Sequence, residues 1–164
     1  MKLRSARLLP FAAALLFGLG ASACSTHYLP NTDVEETELN RRVIEFCEDY
    51  RRAVERRNVP LLLKFAHPSY YEDGGTVSTS DDLDYAGLRE YLEGRFKKTT
   101  GIRYEIRYRD VRPGRNNSIY VDYTYTASFK VLGPDGEEVW KRSVADNRLE
   151  LVPEGETFRI IAGM

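Results

Sequence analysis

Residues Ser118 to Leu132, SIYVDYTYTASFKVL, alternate with a period of two. Ile119, Val121, Tyr123, Tyr125, Ala127, Phe129 and Val131 fall on one side, and Tyr120, Asp122, Thr124, Thr126, Ser128 and Lys130 on the other. β-Branched and aromatic residues fill the stretch and neither Gly nor Pro interrupts it. The pattern predicts a long central antiparallel strand with one buried and one wetter face. The same alternation precedes it, with Ile102, Tyr104, Ile106 and Tyr108 set against Arg103, Glu105, Arg107 and Arg109, and Pro113-Gly114 with Asn116-Asn117 supplies the turn between the two strands. Gly133-Pro134-Asp135-Gly136 makes the next reversal. Beyond it Trp140, Arg142 and Val144 share one parity while Asn147, Leu149 and Leu151 share the other, which predicts a β-bulge near Ala145 and Asp146. Pro153 to Glu156 turns the chain into a last strand, Thr157 to Ala162.

Ahead of the strands the periodicity is helical. A capping-box pattern at Thr32 with Glu35 is expected to open a first helix, on which Leu39, Val43, Phe46, Tyr50, Ala53 and Val54 recur at three- and four-residue intervals. Its arginines, including Arg41, Arg42, Arg51 and Arg52, are interleaved with Glu38, Glu45, Glu48, Asp49 and Glu55, which predicts a salt-bridged, solvated face. Asn58 is placed to end this helix and cap the next, Val59 to Ala66, which tolerates Pro60 in its opening turn. Ser69 to Glu72 reads as a brief strand, and Asp73-Gly74-Gly75 as a turn into a polar loop. A third helix capped near Asp84 carries Leu88, Tyr91, Leu92 and Phe96 as its buried stripe.

The first residues form a separate object. Lys2, Arg4 and Arg7 make a basic segment before the short apolar run Leu8 to Leu19, the pattern of an export signal rather than of a spanning helix. Its end, Gly20-Ala21-Ser22-Ala23-Cys24-Ser25, resembles the lipobox of bacterial lipoproteins. That resemblance implies a signal at 1–23, a fatty-acylated Cys24 holding the chain to a membrane, a tether over 24–36 and a folded domain over 37–164. Ala21-Ser22-Ala23 would also suit ordinary signal peptidase. Ser25 after the cysteine leans the anchor towards the periplasmic face of the outer membrane in a cell with two membranes.

Composition narrows the chemistry. The 164 residues carry 24 Lys and Arg against 25 Asp and Glu, a net charge of -1, which gives no support to binding nucleic acid through a basic surface. With two histidines and two cysteines, one of them the acylation site, no metal-ligand cluster is expected and no cofactor is implied. Cys47, beside Phe46 in the helical pattern, reads as a small buried hydrophobe. No G-x-S-x-G nucleophile motif and no glycine-rich phosphate loop occurs.

The order of elements, with the helical stretch ending at Arg57-Asn58, the helix Leu61 to Ala66, Tyr70-Tyr71-Glu72-Asp73 and the terminal Ile160 to Met164, resembles the nuclear transport factor 2-like (NTF2-like), or SnoaL-like, superfamily. The resemblance implies an α+β fold in which a curved antiparallel sheet wraps about three N-terminal helices into a cone with a pocket at its wide end. For the ketosteroid isomerase branch it implies Tyr50 as an oxyanion donor and Asp73 as a proton shuttle. The third position of that site, a protonated aspartate in the branch, falls on Asn147 here. Tyr71, Tyr104, Tyr123, Tyr125 and Trp140, with Tyr70, are candidates either for an aromatic ligand pocket or for the packing face between sheet and helices. Two functions are expected from these residues. One is a non-catalytic envelope module that binds a small apolar molecule or a protein partner; the other is an isomerase, cyclase or dehydratase using Asp73 with Tyr50. Homodimerisation through the outer sheet face, at Tyr120, Thr124 and Thr126, is a further expectation.

Overall fold

Each helix starts where a short polar side chain can satisfy one of the N–H groups that the first turn leaves unpaired. A computed structural model describes residues 26–74 and 81–164 of the chain; the export signal, Cys24 and the loop residues 75–80 lie outside the described residues. Helix α1 (Glu38–Glu55) is capped by Thr37, whose hydroxyl accepts from the Asn40 N–H at 3.1 Å, and it buries Val43, Phe46, Cys47, Tyr50 and Ala53. Helix α2 (Val59–Phe65) is capped by Asn58, which accepts from the Leu61 N–H at 3.1 Å, with Pro60 in the opening turn as the sequence predicts. The ribbon of β1 (Tyr71–Glu72) and β2 (Leu83–Asp84) leads into helix α3 (Tyr85–Lys97), where Asp84 accepts from the Gly87 N–H at 2.8 Å.

The capping box expected at Thr32 and Glu35 does not form, because Thr32 is used elsewhere. Its hydroxyl donates to the Leu29 carbonyl at 2.9 Å and accepts from the Val34 N–H at 3.1 Å, closing a turn that buries Leu29 and Val34 in the core. Tyr28 pairs with Glu35, the Asp33 N–H donates to the Tyr108 carbonyl, and the Asp33 carboxylate holds Arg107 and Arg109 at 2.5 and 2.9 Å. From Tyr28 onwards the stretch read as a tether is therefore part of the folded body. Leu39, expected on the buried stripe of α1, is exposed.

Four antiparallel strands follow as a meander in the order β3 (Gly101–Pro113), β4 (Ile119–Leu132), β5 (Glu138–Glu154) and β6 (Thr157–Ala162). The α+β class, with helices first and a curved antiparallel sheet after, is as the sequence predicts. Asn116 and Asn117 take positive φ in the β3–β4 turn, a conformation asparagine tolerates better than other side chains do.

The bulge expected at Ala145 and Asp146 is not there. Pairing of β4 with β5 runs unbroken from Ile119 opposite Leu151 to Leu132 opposite Glu138. Trp140 and Val144 lie opposite Lys130 and Thr126 on the outer face, whereas Leu149 and Leu151 lie opposite Val121 and Ile119 on the inner face. The change of parity is thus a change in which face carries the large apolar side chains. Register shifts occur instead between Tyr108 and Asp110 on β3 and between Glu150 and Leu151 where β6 joins.

Candidate functional site

The inner sheet face is sealed at one end and open at the other. Phe46 packs edge-on against Phe65 and Phe158 at 5.2 and 5.8 Å between centroids, and Leu62, Leu149, Leu151 and Ile160 are fully buried around them. The strand β6 pairs with β5 only from Glu150 to Glu154, so among the described residues the rest of β5 has no strand on that edge. Between that open part of the sheet, α1 and α3 lies a cavity of about 460 Å³.

Its walls follow from simple periodicities. Tyr50 and Val54 stand one helical turn apart on α1, and Tyr91, Leu92, Arg95 and Phe96 form one stripe of α3. Tyr104 contributes from β3; Tyr125, Phe129 and Val131 share inner-face parity on β4, and Lys141 and Asn147 share it on β5. Thr99 and Met164 complete the lining. The Tyr104 and Tyr125 rings lie 5.5 Å apart, Tyr123 and Tyr125 6.4 Å, and Tyr108 and Tyr123 6.5 Å, so a row of aromatic rings runs across β3 and β4.

The polar groups are few. The Asn147 amide donates to the Tyr123 hydroxyl at 3.1 Å and to the Gly163 carbonyl at 3.3 Å, which fixes its orientation at the cavity wall. Burial, then the neighbouring Tyr104 and Tyr70, hold the Tyr50 phenol well above its ordinary range, and burial pushes Tyr104 up to about 12. These phenols stay protonated near neutral pH and act as hydrogen-bond donors. No acidic, imidazole or thiol side chain occurs among the described residues of the lining. The cations Arg95 and Lys141 are exposed and therefore stand at the rim.

Of the residues singled out in the sequence, Tyr50, Tyr104, Tyr125 and Asn147 meet at this cavity, and Tyr123 is buried behind it. Asp73 is exposed and is not among the described lining residues. Tyr71 is 51% exposed and donates to Asp82; on this short ribbon it is Tyr70 that turns inward. Trp140 is 45% exposed on the outer face, with the Arg103 guanidinium 4.9 Å from its ring centroid. Parity explains both failures, since a strand sends neighbouring side chains to opposite faces. Arg95, Lys141, Phe129 and Val131 were not singled out as site residues. Counting back by twos from Asn147 reaches Lys141, but the expected bulge hid that relation.

Among the described residues no cluster of three or more metal-ligating side chains is assembled, and no helix is long and apolar enough to cross a membrane. Burial raises the Cys47 thiol far above its ordinary range and leaves it a core hydrophobe.

No protein-family model matches the sequence, nor does any curated protein. Solved structures do match in shape. A candidate scytalone dehydratase from Novosphingobium aromaticivorans superposes with a TM-score of 0.64 at 9% identity, over 76% of this chain and 80% of that one. A candidate dehydratase of the NTF2-like family from Streptomyces avermitilis gives 0.61 at 11% identity over 76% and 92%. A candidate calcium/calmodulin-dependent protein kinase II association domain from Xanthomonas campestris gives 0.61 at 19% identity over 84% and 90%. The fold is the NTF2-like one; at such identities the likeness speaks for fold and not for activity.

Proposed function

We propose that this chain is a lipid-anchored protein of the bacterial cell envelope whose NTF2-like domain binds a small apolar molecule and performs no chemistry on it. One observation carries the reading: the cavity is walled mainly by aromatic, aliphatic and phenolic side chains, with no carboxylate or imidazole side chain among its described residues. Anchoring through acylated Cys24, at the periplasmic face of an outer membrane, is supported by the export signal and the small residues before that cysteine. The test is lipid extraction and mass analysis of the mature protein from its native envelope, with a Cys24→Ala control. The expected result is acyl mass on the N-terminal peptide, release from the membrane in the control, and an apolar molecule recovered with the protein. A water-soluble mature chain with no acyl mass would remove the anchor, and a cavity that takes up no apolar probe would remove the binding function.

A dehydratase or isomerase is the second reading, favoured by Tyr50 and Asn147 facing one cavity and by the candidate dehydratases among its structural neighbours. It requires a base that Asp73 would supply, so turnover must be lost in both Tyr50→Phe and Asp73→Asn. Homodimerisation through the outer face at Tyr120, Thr124 and Thr126 belongs to the same proposal. It draws support from Trp140 and Val144, which are apolar and exposed on that face. Sedimentation of the wild type against Val144→Glu tests it, with a dimer expected only for the former.

A further inference from the structure

We propose that the molecule held in this cavity is an amphipathic anion, with a ring-bearing apolar body against the tyrosines and one carboxylate at the rim between Arg95 and Lys141; this rests on the binding function proposed above. Several arginines of the protein are matched to acids. Arg51 reaches Glu48 and Glu55 at 2.8 Å each, Arg107 and Arg109 share Asp33, and Arg112 and Arg148 share Asp122. Arg95 and Lys141 are set apart by lining the cavity, not by lacking a partner. The Arg95 guanidinium lies over the face of Tyr91, 5.6 Å away.

Two cations therefore border one apolar hollow whose described lining has no acidic side chain. A ligand that brought an anion would gain charge-assisted hydrogen bonds from them. The interior suits the rest of such a molecule, since Tyr50, Tyr104, Tyr125, Phe96 and Phe129 offer ring faces and edges. Tyr50 lines the cavity from α1, so its protonated hydroxyl offers a donor there. A cationic ligand would meet two like charges at the entrance, and a neutral one would leave both unmatched.

The test uses residues 24–164 with Cys24→Ala and three probes of one shape: 2-naphthoate, 2-naphthamide and 2-naphthylmethylammonium. Calorimetry is expected to give at least about a tenfold tighter Kd for naphthoate than for naphthamide, equivalent to about 1.4 kcal/mol. Arg95→Gln and Lys141→Gln are each expected to weaken naphthoate by about three- to tenfold without moving naphthamide, and added salt to erode the same preference. Equal affinity for naphthoate and naphthamide, both abolished by the cavity-filling Val131→Trp, overturns the anion proposal and leaves apolar binding standing. Preference for the ammonium probe also overturns it. Failure of all three probes, or binding indifferent to Val131→Trp, overturns the binding function itself.

Discussion

Leu149 and Lys141 stand on the same face of the same strand, yet the first is wholly buried and the second exposed. The difference lies in what covers them. Around Leu149 the strand β6 has joined the sheet, the α2 end is tied to it by the His67 N–H donating to the Ile160 carbonyl, and Phe46, Phe65 and Phe158 fill the space. Around Lys141 the described residues supply no further strand, and α3 brings only Leu88 and Leu92 as buried side chains. One alternating pattern thus makes a core at the sealed end and a lined hollow at the open end. Binding surface is left where the covering elements run short.

The sharpest way to break that comparison is a matched pair of truncations. Leu149→Ala should cost about 2–5 kcal/mol in urea unfolding, as burial this complete demands, while Phe129→Ala, whose ring already borders open space, should cost roughly half as much. Equal losses would mean that the open end packs as the sealed one does. Next comes the junction between the two ends, where Gly163 has φ +92° and an added Cβ would lie 1.9 Å from the Arg148 carbonyl oxygen. Gly163→Ala should therefore cost more than the ~1–2 kcal/mol of a left-handed backbone alone. It should also loosen Asn147, which donates to the Gly163 carbonyl; an unaltered unfolding midpoint would refute that strain.

Two buried tyrosines sharpen the comparison further. Tyr108 donates to Glu48 at 3.0 Å, so Tyr108→Phe should lose about 1–2 kcal/mol, whereas Tyr50→Phe, which removes a hydroxyl facing the cavity, should change stability by under about 0.5 kcal/mol. A large loss in Tyr50→Phe would place that hydroxyl in the core rather than at the ligand. A small, pH-dependent effect belongs to the outer face. Burial acts to raise the Asp122 carboxyl, but Arg148 and Arg112 outweigh it and hold it below the usual range. Because the folded state prefers the ionised form, its contribution is present above the ordinary carboxylate pKa of about 3.9 and fades as pH falls below it. Asp122→Asn should therefore lower the unfolding midpoint at pH 7, by under about 1 kcal/mol for so exposed a pair, and make little difference at pH 2.

Features set by a few neighbouring residues were legible in the chain: the caps at Asn58 and Asp84, the turn at Asn116-Asn117, and the alternation of β3 and β4. Features set by competition were not. Thr32 and Thr37 are both capping residues by type, and only the docking of Leu29 and Val34 decided which one starts α1. The parity change in β5 has two explanations in sequence, a bulge or a switch of faces, and only the unbroken pairing with β4 separates them. Of the candidate site residues, Tyr50 and Asn147 were found through resemblance, while Arg95 and Lys141 were passed over because charge on a helix or strand usually means a solvated face.

Periodicity and turn chemistry alone determined that three helices would precede an antiparallel meander, because those signals act over a few residues and follow from backbone geometry. Tertiary structure decided where the sheet face is sealed and where it stays hollow, which tyrosines reach that hollow, and that Trp140 does not. Coverage of one element by another depends on contacts between residues far apart in the chain, and no local pattern in either element records it.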